Sequence, residues 1–161
     1  MARAAARINC LDASALIKLV LPEPRSEKLR AYLASESGWY TTPFCFYEAL
    51  SVLKVKYIYK HKITEDEYHK ATFDLMAAFR GGAQHIPDLD LTNALTFSET
   101  LKLCKTHDVD LSDAFQIMSI IKGCPFAGHS KTVLVTDDKK LARTALLENC
   151  KVWHLPNDPP A

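Results

Sequence analysis

Four sites in the sequence set carboxylates beside apolar runs, where they could do chemistry together: Asp12, Glu48, Asp113 and the pair Asp137–Asp138. Asp12 and the pair follow runs typical of strands, whereas Asp113 opens a helical pattern and Glu48 lies inside one. Ionised carboxylates avoid such places unless their charge is compensated. We find no matching cation for them in the sequence, so the simplest compensation is a hard divalent metal bound through oxygen. The pattern therefore favours an enzyme that acts on phosphate esters.

Each acid also has an ordinary structural explanation. Asp12 with Ser14 fits turn and capping chemistry, and the helix macrodipole favours an anion such as Asp113 in a first turn. Either member of Asp137–Asp138 fits a helix cap, and Glu48 fits a solvated helix face. Taken singly, the acids are weak indications of function, and taken jointly they are stronger.

Two further kinds of residue accompany these acids. Asp108 and Asp110 precede Asp113 and fit either loop positions or secondary ligands. Thr136 precedes the acidic pair, where its hydroxyl either holds a metal-bound water or satisfies an amide at a strand end. Both alternatives stay open at this level.

Other reaction classes lack their motifs. The six histidines share no metal spacing and adjoin no carboxylate motif, and the five cysteines form no C-x-x-C pair, which argues against a zinc site. The sequence has no G-x-S-x-G elbow, no phosphate-binding G-x-x-x-x-G-K-[ST] loop and no G-x-G-x-x-G fingerprint. An odd cysteine number predicts reduced, mostly buried thiols in a cytoplasm.

The charge balance predicts no global attraction to nucleic acid. The net charge is +1, so binding of a phosphate backbone requires a local patch. Candidates for such RNA contacts are Lys54, Lys139 and Lys140. No apolar stretch approaches the length of a membrane span, and the first seven residues lack the apolar core of a signal peptide. We therefore expect a cytoplasmic protein without a membrane partner.

The sequence pattern predicts short strands alternating with helices. Ser14 is the predicted cap of the first helix, Thr64 with Glu67 forms a predicted capping box, and Ser112 is the predicted cap of the Asp113 helix. Residues 123–130 are a loop by composition. The expected strands cover residues 8–12, 40–42, 84–86, 132–135 and 151–153, and the expected helices include residues 25–36, a segment after Pro43, a segment ending at Gly81–Gly82, residues 92–105 and a helix through Leu147.

This alternation is typical of an α/β fold with a parallel sheet. Ligands of such sheets bind at the carboxyl ends of the strands, where Asp12 and Asp137–Asp138 would lie. We expect one domain over residues 1–155, followed by a loose tail over residues 156–161.

The ordered motifs resemble the PIN-domain ribonucleases, most closely the VapC-type toxins of bacteria and archaea. The likeness runs from Ile8 to Leu155. The motifs that carry it are Leu11-Asp12-Ala13-Ser14, Thr42-Pro43 leading to Glu48, Leu111-Ser112-Asp113-Ala114, and Val135-Thr136-Asp137-Asp138.

The resemblance implies a three-layer α/β/α sandwich with a mainly parallel sheet. It implies catalytic roles for Asp12, Glu48, Asp113 and Asp138, with Asp12, Asp113 and Asp138 as ligands of Mg²⁺ or Mn²⁺. It places Thr136 as an accessory hydroxyl, Asp137 as a neighbour and Ser14 as the small hydroxyl residue after the first acid. Asp110 joins this accessory set from its position before Asp113. It further implies an RNA substrate, a homodimer and an inhibitory antitoxin.

Three alternatives to a toxin stay open. One is a PIN-domain nuclease outside toxin–antitoxin systems, because the loop over residues 123–130 is longer than is usual in compact toxins. Another is a Mg²⁺-dependent phosphatase of the haloacid dehalogenase type, although Ser14 stands where that chemistry wants a second acid. The last is an inactive PIN-like RNA-binding module, which the presence of all four acids disfavours.

Overall fold

The computed structural model describes residues 7–36, 38–123 and 132–159, which contain a five-stranded sheet with every described strand pair parallel. The strand order is β3-β2-β1-β4-β5. The strands are β1 (Ile8–Leu11), β2 (Trp39–Thr41), β3 (Ala83–His85), β4 (Thr132–Thr136) and β5 (Lys151–His154). Central β1 pairs with β4 so that Leu11 lies opposite Val135. This register sets Asp12, which follows β1, beside Thr136, the last residue of β4.

Helices connect the strands. They are α1 (Ala13–Val20), α2 (Ser26–Ser35), α3 (Pro43–Lys54), α4 (Glu65–Gly81), α5 (Ala94–His107), α6 (Leu111–Gly123) and α7 (Lys139–Leu147). A π-helical turn, Val55–Tyr59, continues α3. Among the helices in the described ranges, none has the length and hydropathy needed to cross a membrane.

The sheet is covered on both faces. Val133 and Val135 of β4 join one buried cluster with residues of α1 to α4, whereas Leu134 between them joins a second cluster with residues of α5, α6 and α7. Successive side chains of a strand point to opposite faces, so each cluster occupies one face of the sheet. The predicted three-layer α/β/α sandwich with a parallel sheet is confirmed.

Two predicted helix caps are wrong. Asp12, not Ser14, caps α1, because its Oδ1 accepts the Ala15 N–H at 2.8 Å. Ser112 lies inside the first turn of α6, and the carboxylate of Asp110 accepts the Asp113 N–H at 2.8 Å instead. In both places a carboxylate accepts the helix-end amide, which leaves the serine hydroxyl free for another partner.

Other predicted element ends agree with the structure to within two residues. The capping box of Thr64 with Glu67 is present at the start of α4. Helix α5 begins two residues later than expected, because Asn93 accepts the N–H groups of Leu95 and Thr96, and it ends two residues later, where Asp108 adopts a left-handed conformation. Most of the predicted 123–130 loop lies outside the described residues. Beyond β5, Lys28 bonds the Asn157 carbonyl and the Asp158 carboxylate.

Candidate active site

The four predicted catalytic acids line one open crevice of roughly 300 Å³ at the carboxyl end of β1 and β4. We call the crevice that Asp12, Glu48, Asp113 and Asp138 line the acidic crevice. They come from a strand end, from α3, from α6 and from the start of α7 respectively. The fold thus brings together side chains that are up to 126 positions apart in sequence.

Asp12 is the most buried of the four acids, with 4% of its surface exposed. Its Oδ1 accepts the Ala15 N–H and the Ser14 hydroxyl, both at 2.8 Å. Its Oδ2 accepts the Thr136 hydroxyl at 2.5 Å. Burial raises the pKa of Asp12 to about 6, with a smaller contribution from the charge of Glu48, against the lowering effect of these hydrogen bonds. The carboxylate is held in one orientation and is poorly solvated.

The hydroxyls of Ser14 and Thr136 connect Asp12, at the end of β1, to the backbone at the end of β4. The Ser14 hydroxyl accepts the Asp137 N–H at 2.8 Å while it donates to Asp12. The Thr136 hydroxyl accepts the Asp138 N–H at 2.9 Å while it donates to Asp12. Of the two roles left open for Thr136, the structure therefore shows it satisfying a strand-end amide and orienting Asp12.

Glu48 is fastened to α6 by both carboxylate oxygens. Ser112 donates its hydroxyl to Oε1 at 3.1 Å, and Gln116 donates its amide to Oε2 at 2.7 Å. Burial is the largest cause of a raised pKa for Glu48, and the charges of Asp110 and Asp138 add to it. The role of Gln116 was missed in the sequence, although a glutamine four residues after Ser112 in an apolar helix was a signal for it.

Asp113 lies between Ser112 and Gln116 in the sequence of α6, and it is half-buried. Burial, and after it the charges of Asp110, Asp138 and Glu48, together raise the pKa of Asp113 to about 6, against the lowering effect of Lys140. These mutual effects show that the carboxylates repel one another. The accessory residue Asp110 contributes here through its charge and its cap of α6.

The adjacent acids Asp137 and Asp138 have different surroundings. Asp138 is exposed and caps α7, because its Oδ1 accepts the N–H groups of Lys140 at 2.7 Å and Leu141 at 2.9 Å. Asp137 is instead ion-paired with Lys18 and Arg25. The inference that the acids have no matching cation is therefore wrong for Asp137. Within the described ranges the other four form no ion pair.

The donor set of the acidic crevice fits a hydrated hard cation. In the part of the chain that the structure describes, no three acidic, histidine or cysteine side chains stand together as a preassembled metal site. Mg²⁺ retains several waters and takes only one or two carboxylates directly, so a preassembled cage is not required. The carboxylates of the crevice repel one another, and this repulsion contributes to the raised pKa values of Asp12, Glu48 and Asp113. A bound cation would offset that repulsion.

The predicted RNA-contacting lysines lie outside the lining of the crevice, although the charge of Lys140 lowers the pKa of Asp113. Lys54, Lys139 and Lys140 are exposed and do not line the crevice. The lysines that do line it are Lys18 and Lys56. The signal for Lys18 was a single charged residue in the otherwise apolar α1.

Comparisons with known proteins agree with this fold. The sequence matches the family model of the PIN domain over residues 10–147. Among curated proteins, none matches the chain.

Solved structures with the same fold share little sequence with this chain. PAE2754 from Pyrobaculum aerophilum aligns with a TM-score of 0.60 and 18% identity, covering 94% of this chain and 88% of that one. FitAcB from Neisseria gonorrhoeae aligns with a TM-score of 0.57 and 14% identity over 91% and 97% of the two chains. VapBC2 from Rickettsia felis, bound to a DNA fragment from its promoter, aligns with a TM-score of 0.55 and 12% identity over 91% and 97%. At such identities the likeness bears on the fold alone.

Proposed function

Because this chain belongs to the PIN-domain family, whose members are nucleases, we propose that it is a metal-dependent endoribonuclease that hydrolyses RNA phosphodiester bonds. One observation carries the proposal. Asp12, Glu48, Asp113 and Asp138 line one crevice, and in the described ranges none of them is neutralised by an ion pair. A metal-dependent phosphodiesterase needs such oxygen donors to hold a divalent cation, because negative charge develops on the phosphate oxygens in its transition state.

In this proposal Asp12, Asp113 and Asp138 hold Mg²⁺ or Mn²⁺. When bound, such an ion would lower the pKa of a coordinated water and offset the negative charge of the phosphate. Ser14 and Thr136 keep Asp12 oriented. Such positioning matters because small displacements of a ligand are costly to catalysis.

Glu48 serves as the proton acceptor in this proposal. Its pKa is raised by burial and by neighbouring carboxylates, which brings it closer to the pH at which a general base works best. Ser112 and Gln116 hold its two oxygens on α6, so its position relative to Asp113 is set by one rigid helix. An attacking water would give up its proton to Glu48 there.

The biological setting that we propose is a cytoplasmic toxin–antitoxin pair. The VapBC2 structure is described as bound to a DNA fragment from the promoter of that pair, which supports an antitoxin partner for a chain of this fold. An antitoxin suited to the acidic crevice would present arginine, whose guanidinium binds carboxylates in a bidentate manner. We further propose that the chain acts as a homodimer.

The test is cleavage of single-stranded RNA by the purified chain. We expect cleavage with Mg²⁺ or Mn²⁺, none in EDTA, and none by Asp12→Asn with metal. Equal cleavage in EDTA would remove the metal from the mechanism. Release of phosphate from small esters without RNA cleavage would favour the phosphatase alternative, and binding of RNA without cleavage would favour an inactive module.

A further inference from the structure

A second charged group borders the acidic crevice and has no part in the chemistry proposed above. It consists of Lys18, Glu23, Arg25, Lys56 and Asp137, which we call the basic flank. Lys18, Glu23, Lys56 and Asp137 line the same crevice as the four acids. Arg25 joins them through its bond to Asp137.

Two carboxylates connect the three cations of the basic flank. Lys18 Nζ lies 3.0 Å from Asp137 Oδ2 and 3.2 Å from Glu23 Oε2. Lys56 Nζ lies 2.5 Å from Glu23 Oε1, and Arg25 Nη1 lies 3.2 Å from Asp137 Oδ1. Three positive charges thus share two negative ones, which leaves the basic flank with a net positive charge beside four acids.

The cations differ in their access to a ligand. The side chain of Lys18 is 4% exposed, and its ammonium is ion-paired with both Glu23 and Asp137. The side chains of Lys56 and Arg25 are 26% and 41% exposed, and each makes one ion pair. An ammonium has three N–H donors and a guanidinium has five, so both retain donors for a further anion. Lys18 is the anchor, and Lys56 and Arg25 are the accessible groups.

The backbone at both accessible residues is unusual. Lys56 lies on the π-helical turn after α3, a kind of irregularity that occurs often at functional sites. Arg25 adopts a left-handed conformation with φ of 72°, which an arginine takes at a cost of about 1 kcal/mol. Ser26 holds this turn, because its hydroxyl donates to the Leu21 carbonyl and accepts the Glu23 N–H. Strain of this kind persists where the surrounding structure fixes it, commonly at functional sites.

We propose that the basic flank binds the RNA backbone phosphate next to the one that is hydrolysed. Lys56 and Arg25 contact this phosphate, and Glu23, Asp137 and Lys18 are positioning residues. A polyanion that enters a crevice with four carboxylates meets repulsion, which a bound cation relieves only at the reacting phosphate. The neighbouring phosphate needs its own positive partner, and the basic flank supplies it at the rim of the same crevice. This inference rests on the proposed ribonuclease function.

The test measures how RNA binding depends on salt. In an Asp12→Asn background, which keeps the substrate intact, the affinity for a short single-stranded RNA is measured over a range of salt concentrations. Each phosphate contact contributes about 0.7 to the slope of log Kd against log salt for single strands. We expect Lys56→Gln and Arg25→Gln each to lower that slope by about this amount. Lys56→Arg should restore the slope, and Lys60→Gln should leave it unchanged, since Lys60 is an exposed lysine just after the π-helical turn and does not line the crevice.

Cleavage by otherwise wild-type chains separates this inference from the function on which it rests. Lys56→Gln should raise KM with little change in kcat, because the contact to the neighbouring phosphate is the same in the ground state and in the transition state. If the wild-type chain cleaves RNA and both glutamine variants keep the full salt slope, the basic flank does not bind phosphate. If the wild-type chain neither binds nor cleaves RNA, the proposed function itself fails, and this inference with it.

Discussion

Thr136 donates a hydrogen bond of 2.5 Å to Oδ2 of Asp12 across 124 positions of sequence. The same hydroxyl oxygen accepts the Asp138 N–H at 2.9 Å, and its single proton goes to Asp12 because an ionised carboxylate can only accept. Two of the proposed metal ligands, Asp12 and Asp138, are therefore linked by one buried side chain at the ends of the paired strands β1 and β4. The relationship makes Thr136 a positioning residue for both.

We expect Thr136→Val to raise the pKa of Asp12 above about 6, because the lost hydrogen bond stabilised the ionised form. A bond to a charged group is worth about 1.5–3 kcal/mol, so the rise should be about one pKa unit or more. The measurement is an NMR titration of the carboxyl carbon in the metal-free protein. Thr136→Ser keeps the hydroxyl and is the matched control, so an equal rise in both variants would contradict the assignment.

Asp12→Asn should abolish cleavage and leave the metal-free melting temperature equal to or above that of the wild type. Asparagine keeps the cap of α1, and it removes a charge that burial disfavours. Because the folded-state pKa of Asp12 is raised, ionisation costs stability that is regained as pH falls through about 6. The advantage of the variant, at most on the order of 3 kcal/mol at pH 7, should therefore shrink as the pH is lowered towards 4. A large drop in melting temperature would show that Asp12 is mainly a structural cap.

The adjacent acids should differ in their effect on cleavage. Asp138→Asn should abolish it, since this variant retains the cap of α7 but loses a carboxylate of the acidic crevice. Asp137→Asn should leave a measurable rate with a raised KM, because it weakens the hold on Lys18 and Arg25. Single-turnover cleavage in Mg²⁺ compares the two variants. The opposite order of effects would mean that the acid of this motif is misplaced by one residue.

Ser112→Ala should raise the pKa of Glu48 and lower the cleavage rate near neutral pH by about tenfold, since one oxygen of Glu48 loses its donor. The acidic limb of the pH–rate profile should move to higher pH. Ser119→Ala on the same helix is the control, because the buried hydroxyl of Ser119 has no hydrogen-bond partner among the described residues. Indistinguishable profiles for the two variants would remove Ser112 from the site.

Expression of the wild-type chain should stop bacterial growth, whereas Asp12→Asn should not. Uncontrolled cleavage of cellular RNA is toxic, and a co-expressed cognate antitoxin that covers the acidic crevice should restore growth. Colony counts after induction give the measurement, with equal protein amounts checked for both variants. Harmless high-level expression of the wild type would end the toxin assignment but not the nuclease proposal.

The sequence alone was sufficient for the architecture. Short apolar runs alternate with helical periodicity, and such local patterns encode element type through backbone hydrogen bonding and the burial of one helix face. The predicted α/β fold with a parallel sheet follows from that alternation, and the three-layer sandwich is what the resemblance to PIN domains implied. The four acids could be found for the same local reason, because each is a carboxylate in an apolar setting.

Only the tertiary structure decided which groups meet. The pairing of β1 with β4 brings Thr136 to Asp12, and the packing of α3 against α6 brings Gln116 to Glu48. The ion pair of Lys18 with Asp137 likewise joins α1 to the end of β4. No local window of sequence contains these contacts, because strand order and helix packing are set by burial summed over the whole chain. Thus the sequence determined which residues could react, and the long-range packing determined how each is held and which two cations pair with Asp137.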